Sequence, residues 1–548
     1  MTSSKPLRFG FREQRRTRVL WHGEAAIPAA IFEEFQNRGL SPERITEAIK
    51  NGVFEPSGPV DRLSSEALSH LAASRAFVFF TDKRTVMAHS EFLDRVGRHL
   101  VDHGLLLCFY VEDRAVGDKM LKVIQGLAYV SKKLGVEIPV IYLGPREWPG
   151  APSSKSSAHE FPERISQWDS GPDYEGELKI EGSLKDPSHE LLLRRAFGNC
   201  KEITVKNVEG GFSAAGVYFV SAILRNAAFV SRPLPFFAKI DSLPKVIQEM
   251  GVYRELVHPG IPFNSRPTLN LERSFLAHSY GVIVGDFVED AESFYDIVKR
   301  GDCQRPIHSL FDHALRGWRG QAYESTSAVR EGNIVEDLFR EVNTQVPSTA
   351  LVKAAWSFGA RRSYEQMKSA LIGIGNMAKY RVAPFHGDLY GNNIRVRDGD
   401  SILIDFASTK IAVSLMADPA YLEVSLAFNE YMPGDRFRDW ENTIRTLYSP
   451  DMFRRAPEPP LRPALREWLW NAVRHIRLVA LGAQESPPKE YQTVLAFFLL
   501  RESGFDPTSD TFGKRHRRAY AYAMADRLIT DLIESSRREP RRFLRKRP

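Results

Sequence analysis

From Ala383 to Phe406 the chain reads Ala-Pro-Phe-His-Gly-Asp-Leu-Tyr-Gly-Asn-Asn-Ile-Arg-Val-Arg-Asp-Gly-Asp-Ser-Ile-Leu-Ile-Asp-Phe. No other stretch limits the fold as strongly. His386 and Asp388 fall on a short loop, Asn393 follows Asp388 by five residues, and the apolar strand Ile402-Leu-Ile delivers a second carboxylate, Asp405. These are the parts that phosphoryl transfer requires. One aspartate takes the proton of an attacking hydroxyl, while an asparagine and another aspartate supply oxygen ligands for Mg2+ on the nucleotide phosphates. His386 reads as a hydrogen-bonding partner that fixes the loop rather than as a catalyst.

The pattern His-Gly-Asp-Leu, four residues, Asn, then Ile-Asp-Phe is similar to the aminoglycoside phosphotransferase and choline kinase group of protein-kinase-like enzymes. The resemblance implies an α+β bilobal protein-kinase-like domain with a helical C-terminal end. It also implies ATP and Mg2+ as cofactors, Asp388 as catalytic base, and Asn393 and Asp405 as metal ligands. Two features depart from protein kinases. Gly387 stands where an arginine would read an activation-loop phosphate, and Asp418-Pro follows Asp405 by only thirteen positions. That spacing leaves little room for a peptide-docking segment, so a small hydroxylated acceptor is expected. The glycine-turn wording, the short segment after Asp405 and the helical end also resemble the kinase-like "ternary complex associated" domains of bacterial multi-gene systems.

Upstream elements fall into a consistent order. Glu202 to Val208 and Val217 to Leu224 read as strands around the turn Glu209-Gly-Gly-Phe-Ser-Ala-Ala-Gly. There Gly210, Gly211 and Gly216 would let the backbone approach phosphate oxygens, with Ser213 as a further donor. The next strand carries Lys239 among apolar neighbours, where an unpaired ammonium is costly to desolvate. Glu249 and Glu255, on the helix expected from Pro244 to Val257, are both available partners. Glu255 is preferred, because the longer separation allows a turn and two helical turns, and because the resemblance agrees. Gly281 to Glu289 resembles the strand that enters the hinge facing an adenine. A helix from about Ser363 to Lys379 would lead the chain to His386, and the stretch after Asp418 reads as helical.

A length of 548 residues exceeds what one core sustains. Residues 1–144 read as a small α/β domain with a mostly parallel sheet. The strands Ala76 to Thr81, Leu105 to Val111 and Ile138 to Gly144 are short apolar runs alternating with amphipathic stretches, Ser90 to Val101 and Asp118 to Leu134. Ala25 to Asn51 reads as helical. Asp82, Glu112 and Asp113 lie at strand ends, where such carboxylates usually cap the next helix. Residues 145–189, rich in Pro, Ser and Gly, read as a linker. The small lobe is expected over 190–289, the large lobe over 290–535 and a basic tail over 536–548, so that a fragment from Glu190 would be expressible alone.

Composition excludes several classes. A hydrophobic fraction of 43% and a charged fraction of 26% suit a globular chain. Three scattered cysteines give neither a disulfide framework nor a zinc site, no window approaches a membrane span, and a cytoplasmic protein is expected. The net charge of +7 sits mainly at the ends, including seven Arg or Lys against Glu539 from Ser536 to Pro548. That tail reads as a solvated, partly disordered segment, with contact to nucleic acid or an anionic surface as the alternative. The function expected is ATP-dependent phosphoryl transfer to a hydroxyl. The alternative is a nucleotide-binding regulatory module that signals to a protein partner through residues 1–144.

Overall fold

The computed structural model describes residues 18–23, 27, 29–38, 40–54, 63–102, 105–111, 115–116, 140–143, 162–163, 165–166, 177–208, 215–225, 233–277, 280–428, 437–453, 467–486, 489–505 and 512–544. The chain forms two compact units, Met1–Met250 with Thr268–Phe287, and Gly251–Pro267 with Val288–Pro548.

The first unit begins with β1 (Arg18–His22), α1 (Ala29–Asn37), β2 (Ser41–Arg44), α2 (Thr46–Lys50), α3 (Ser65–Ala73), β3 (Ser74–Thr81), α4 (Val86–Asp102), β4 (Leu106–Val111) and β5 (Val140–Leu143). The five strands pair in the order β2-β1-β3-β4-β5, all parallel. Burial on both faces explains why β3 is apolar without interruption from Ala76 to Phe80. Phe77 and Phe79 enter one core with Leu71, Phe92 and Leu93, while Ala76, Val78 and Phe80 enter the other with Ile31 and Phe35. Both faces are therefore covered, as expected of a parallel sheet. Two of its strands were not expected. β1 follows directly on the basic N-terminal run, and β2, Ser-Pro-Glu-Arg at the sheet edge, buries no side chain fully. The stretch read as one helix from Ala25 to Asn51 is thus helix, strand, helix. Asp82 caps the turn into α4, accepting from the backbone of Arg84 and Thr85 at 2.8 and 2.7 Å. Glu112, Asp113 and the amphipathic stretch from Asp118 lie outside the described residues.

The same unit continues with β6 (Lys179–Gly182), α5 (His189–Ala196), β7 (Cys200–Asn207), β8 (Gly216–Leu224), β9 (Leu234–Ser242), α6 (Leu243–Val252), β10 (Phe275–Leu276) and β11 (Tyr280–Asp286). Its six-stranded sheet has the order β10-β11-β9-β8-β7-β6, with β6 and β7 parallel and the other pairs antiparallel. β6 lies within the stretch read as a linker. All eight residues of α5 are buried, and the helix serves two cores: Leu191 packs with the first sheet, Leu192 and Leu193 with the second. A fragment cut at Glu190 would lose β6 and expose Leu191.

In the second unit, β12 (Glu292–Ser293) leads into helices that include α7 (Arg316–Glu324). Then come β13 (Val329–Asn333), α8 (Ile334–Glu341), α9 (Tyr364–Ile374), β14 (Asn376–Phe385), β15 (Ile394–Arg397), β16 (Asp400–Leu403), β17 (Lys410–Ser414), α10 (Ala417–Phe428), α11 (Glu467–Leu481), α12 (Lys489–Gly504) and α13 (Phe512–Leu544). The helix expected to reach Lys379 stops at Ile374. Ser363 and Gln366 close a capping box at its start, and after Gly375 the chain becomes β14 between β13 and β17. Five of the twelve residues between Asp405 and Asp418 form β17, which pairs with β14. Behind it, Arg477 on α11 meets Glu423 on α10 at 2.7 Å, and Tyr491 of α12 donates to the same carboxylate, fastening three buried helices. The helical end is as expected, but the basic tail continues α13 as far as Leu544 instead of leaving the helix at 536. Among the described residues no helix is long and apolar enough to cross a membrane.

Candidate active site

Residues of the first unit supply a buried cation. Lys239 sits on β9, flanked by β8 and β11, with its ammonium 2.8 Å from Glu249. Their side chains are only 10% and 13% exposed. The expected partner, Glu255, does not fill this role. It lies in a π-helical turn, Tyr253–Val257, is 65% exposed and pairs with Arg254 instead. The reason is where the helix begins. α6 starts at Leu243 with no intervening loop after β9, so no residues are spent on a turn. Val246 packs beneath Gly281 of β11, and Glu249, one turn further along the same face, meets Lys239.

Of the glycine-turn residues, Gly210, Gly211 and Ser213 lie outside the described residues. Gly216 opens β8, where an added Cβ would stand 2.6 Å from the His189 ring. His189 in turn shares a 2.7 Å hydrogen bond with the Tyr218 hydroxyl. Packing against that pair therefore accounts for Gly216.

The second unit assembles the catalytic-type loop. Gly387 has φ +85°, and a Cβ there would overlap the Ser408 carbonyl oxygen, so an arginine could not occupy the position. His386 is fully buried. Its backbone N–H donates to Asp418 Oδ1 at 3.2 Å, and its Nε2 donates to the Ile404 carbonyl, also at 3.2 Å. Burial lowers the pKa of the imidazole, so the ring is neutral and serves as a brace, as the sequence suggested. Burial also pushes the Asp418 carboxyl up to about 7, against the opposing pull of the His386 N–H and the Arg319 charge.

Asp388 is gripped from two sides. Tyr421 donates its hydroxyl to Oδ1 at 2.7 Å, and Asn393 donates Nδ2 to Oδ2 at 3.0 Å and to the Asp388 carbonyl at 2.9 Å. Because the Asn393 amide nitrogen is committed, its oxygen is the atom left to face a cation. Asp405 is exposed, and its φ of +61° lies in the left-handed region, which aspartate enters more readily than most residues and which Asp290 and Asp398 also adopt. Its Oδ1 accepts from Ala407 N–H at 3.4 Å.

Tyr421 was not expected. It lies one turn after Asp418 on α10, so the helix that braces His386 also places a donor on Asp388. Burial first, and then the Asp388 charge, raises the Tyr421 phenol far above its ordinary pKa, keeping it protonated as a donor. Arg501 of α12 stands over its ring, 4.7 Å from the centroid.

Among the described residues no group of three or more His, Cys, Asp or Glu side chains is arranged to hold a metal ion. Asn393 and Asp405 alone would be an incomplete shell for most metals. They do suit Mg2+, which binds through one or two protein carboxylates and otherwise through waters and phosphate oxygens.

No protein-family model matches the chain, and no curated protein matches it. Its structure is similar to an ethanolamine kinase of Plasmodium vivax at 12% identity, covering 70% of this chain and 98% of that one with a TM-score of 0.36. It is also similar to a thermostable mutant of the aminoglycoside phosphotransferase APH(4)-Ia at 9% identity, covering 62% and 97% with a TM-score of 0.34. A third similar structure is the amicoumacin kinase hAmiN, solved with AMP-PNP, Ca2+ and Ami, at 13% identity and covering 60% and 88% with a TM-score of 0.33.

Proposed function

We propose that the chain is a phosphotransferase that moves the terminal phosphoryl group of ATP onto a hydroxyl of a small molecule. The observation that carries this reading is the Asp388 carboxylate, held by the Tyr421 hydroxyl and the Asn393 amide with its orientation fixed. In the proposed reaction Asp388 orients the acceptor hydroxyl and takes its proton as the new O–P bond forms and the bond to the β-phosphate oxygen breaks. Asn393, through Oδ1, and Asp405 would hold Mg2+, which supplies charge neutralisation on the nucleotide phosphates. Lys239, kept in place by Glu249, would bind phosphate oxygens. His386 and Asp418 do no chemistry in this scheme and hold the loop that carries Asp388.

The small-molecule preference is supported by β17. With residues 410–414 engaged in sheet pairing, little chain remains between Asp405 and Asp418 for docking a peptide. The test is to incubate the full-length protein with γ-labelled ATP, Mg2+ and a cell extract, and to separate small-molecule from protein products. Label in a small-molecule fraction supports the reading. Label confined to protein would overturn the acceptor class.

One observation favours a second reading, a nucleotide-binding regulatory module. α5 contributes Leu191 to the core of the parallel sheet and Leu192 and Leu193 to the core of the Lys239 sheet, so the two sheets share a mechanical element. That reading predicts nucleotide binding with no transfer to any acceptor.

A further inference from the structure

A cavity open to solvent lies wholly within the second unit, between α7 and α11, and has a volume of about 470 Å³. One wall is apolar, formed by Phe311, Leu478 and Val479; the other carries Arg316, Arg319 and Tyr323. Arg319 is the informative residue. Its guanidinium stacks over Phe311, 5.5 Å from the ring centroid, and among the described residues no carboxylate lies within ion-pairing distance of it. Its electrostatic neighbours are Tyr323, Asp418 and Asp312, and burial lowers its pKa. The one carboxylate lining the cavity, Asp312, is engaged by the His308 ring at 2.9 Å. Arg319 is half-buried, and a partly desolvated guanidinium with no ion pair of its own is a group that an anionic ligand would satisfy. At the same cavity Tyr323 and Leu478 leave 48% and 43% of their surface exposed, apolar area that a ligand body would cover.

We propose that this cavity is a binding site for an amphiphilic monoanion, a carboxylate or sulfonate on an aromatic or aliphatic body, with the acid group on Arg319 and the body against Leu478 and Val479. The volume falls within the range of small-molecule pockets and is lined as they are, mostly apolar with a few directed polar groups. Nothing in this proposal depends on phosphoryl transfer.

Gly320 provides a clean test. It faces the cavity from α7, and an added Cβ there meets no atom within 4 Å, so Gly320→Leu fills the site without a clash at its first carbon and in a residue the helix prefers. The full chain, without nucleotide, would be titrated calorimetrically with 2-naphthoate, with its neutral isostere 2-naphthamide, with decanoate and with inorganic phosphate. Saturable binding of 2-naphthoate or decanoate is expected, weakened roughly 10-fold or more by Arg319→Gln, by Gly320→Leu and by exchanging 2-naphthoate for the amide, the scale of one charge-assisted hydrogen bond. Which of the two acids binds more tightly distinguishes an aromatic from an aliphatic ligand. Thermal unfolding checks that the variants are folded; should Arg319→Gln fail, Gly320→Leu decides. Absence of saturable binding by either acid, equal binding of amide and acid, phosphate binding as tightly as the acids, or affinity unchanged in Gly320→Leu would overturn the proposal.

Discussion

Replacing Glu249 by glutamine and, separately, Glu255 by glutamine distinguishes two accounts of how Lys239 is stabilised. At the observed 2.8 Å, two unit charges attract by roughly 6 kcal/mol in an effective dielectric of about 20. Much of that is offset by the desolvation of two nearly buried side chains, so the pair adds little net stability. Removing one partner is different, because it leaves a buried ammonium uncompensated, at a cost of about 3–5 kcal/mol. Glutamine keeps an oxygen for hydrogen bonding, which places Glu249→Gln near the lower end, ~3 kcal/mol. Glu255 is exposed and among the described residues its ion pair is with the likewise exposed Arg254, so Glu255→Gln should stay within ~0.5 kcal/mol. Native-state hydrogen exchange of the β9 and β11 amides reads the local stability directly. The expected result is faster exchange in Glu249→Gln by a factor of about 100, the equivalent of ~3 kcal/mol. Equal effects of the two substitutions, or a larger one from Glu255→Gln, would refute the reasoning.

Three further outcomes follow from the geometry. Tyr421→Phe removes the donor on Asp388 Oδ1 and should lower kcat by about 10-fold or more, the scale of one charge-assisted hydrogen bond, with little change in KM for ATP; steady-state kinetics checks it. Gly387→Ala must both leave φ +85° and displace the Ser408 carbonyl, so it should lower the thermal unfolding midpoint and abolish activity together. In the first unit, His89 is buried with its pKa lowered from 6.5 to about 3 by desolvation, and its ring lies tilted with its centroid 4.5 Å from that of His22, whose pKa is lowered to about 4. Because the unfolded state takes up these protons first, stability is fully present above pH 6.5 and declines as the pH falls toward those lowered values. His89 alone should cost ~2–3 kcal/mol between pH 7 and 4.5, and His89→Phe should flatten the dependence in urea titrations.

What could be read from the sequence was local. Asp388 and Asn393 lie in one loop, and Gly387, Asp405 and Asp418 within thirty-odd residues of it, so their spacing and the family resemblance together were enough to suggest phosphoryl transfer. Apolar strands buried on both faces, such as β3 and β4, and the helices α11 to α13 announced themselves by continuous hydrophobicity or helical period. Elements set by tertiary contact did not. β2 is polar because it is an edge, β6 owes its existence to pairing with β7, and β14 lies between two strands distant in sequence. Tyr421 showed only as a tyrosine one turn after Asp418; its role depends on the helix being brought against the loop. The choice of Glu255 over Glu249 failed because an imagined turn after β9 shifted the helical face by almost two turns. The capacity of α5 to serve two cores, and so to join the expected linker to both sheets, could not be read from Leu191, Leu192 and Leu193 in a row.

The most direct test of the central claim compares the full-length protein with Asp388→Asn in γ-labelled ATP, with and without Mg2+, following nucleotide binding in parallel. Mg2+-dependent turnover that falls by about 100-fold or more in the variant, with nucleotide binding retained, is the predicted result for a lost general base. Turnover unchanged in Asp388→Asn would contradict the assignment of this carboxylate and with it the proposed mechanism.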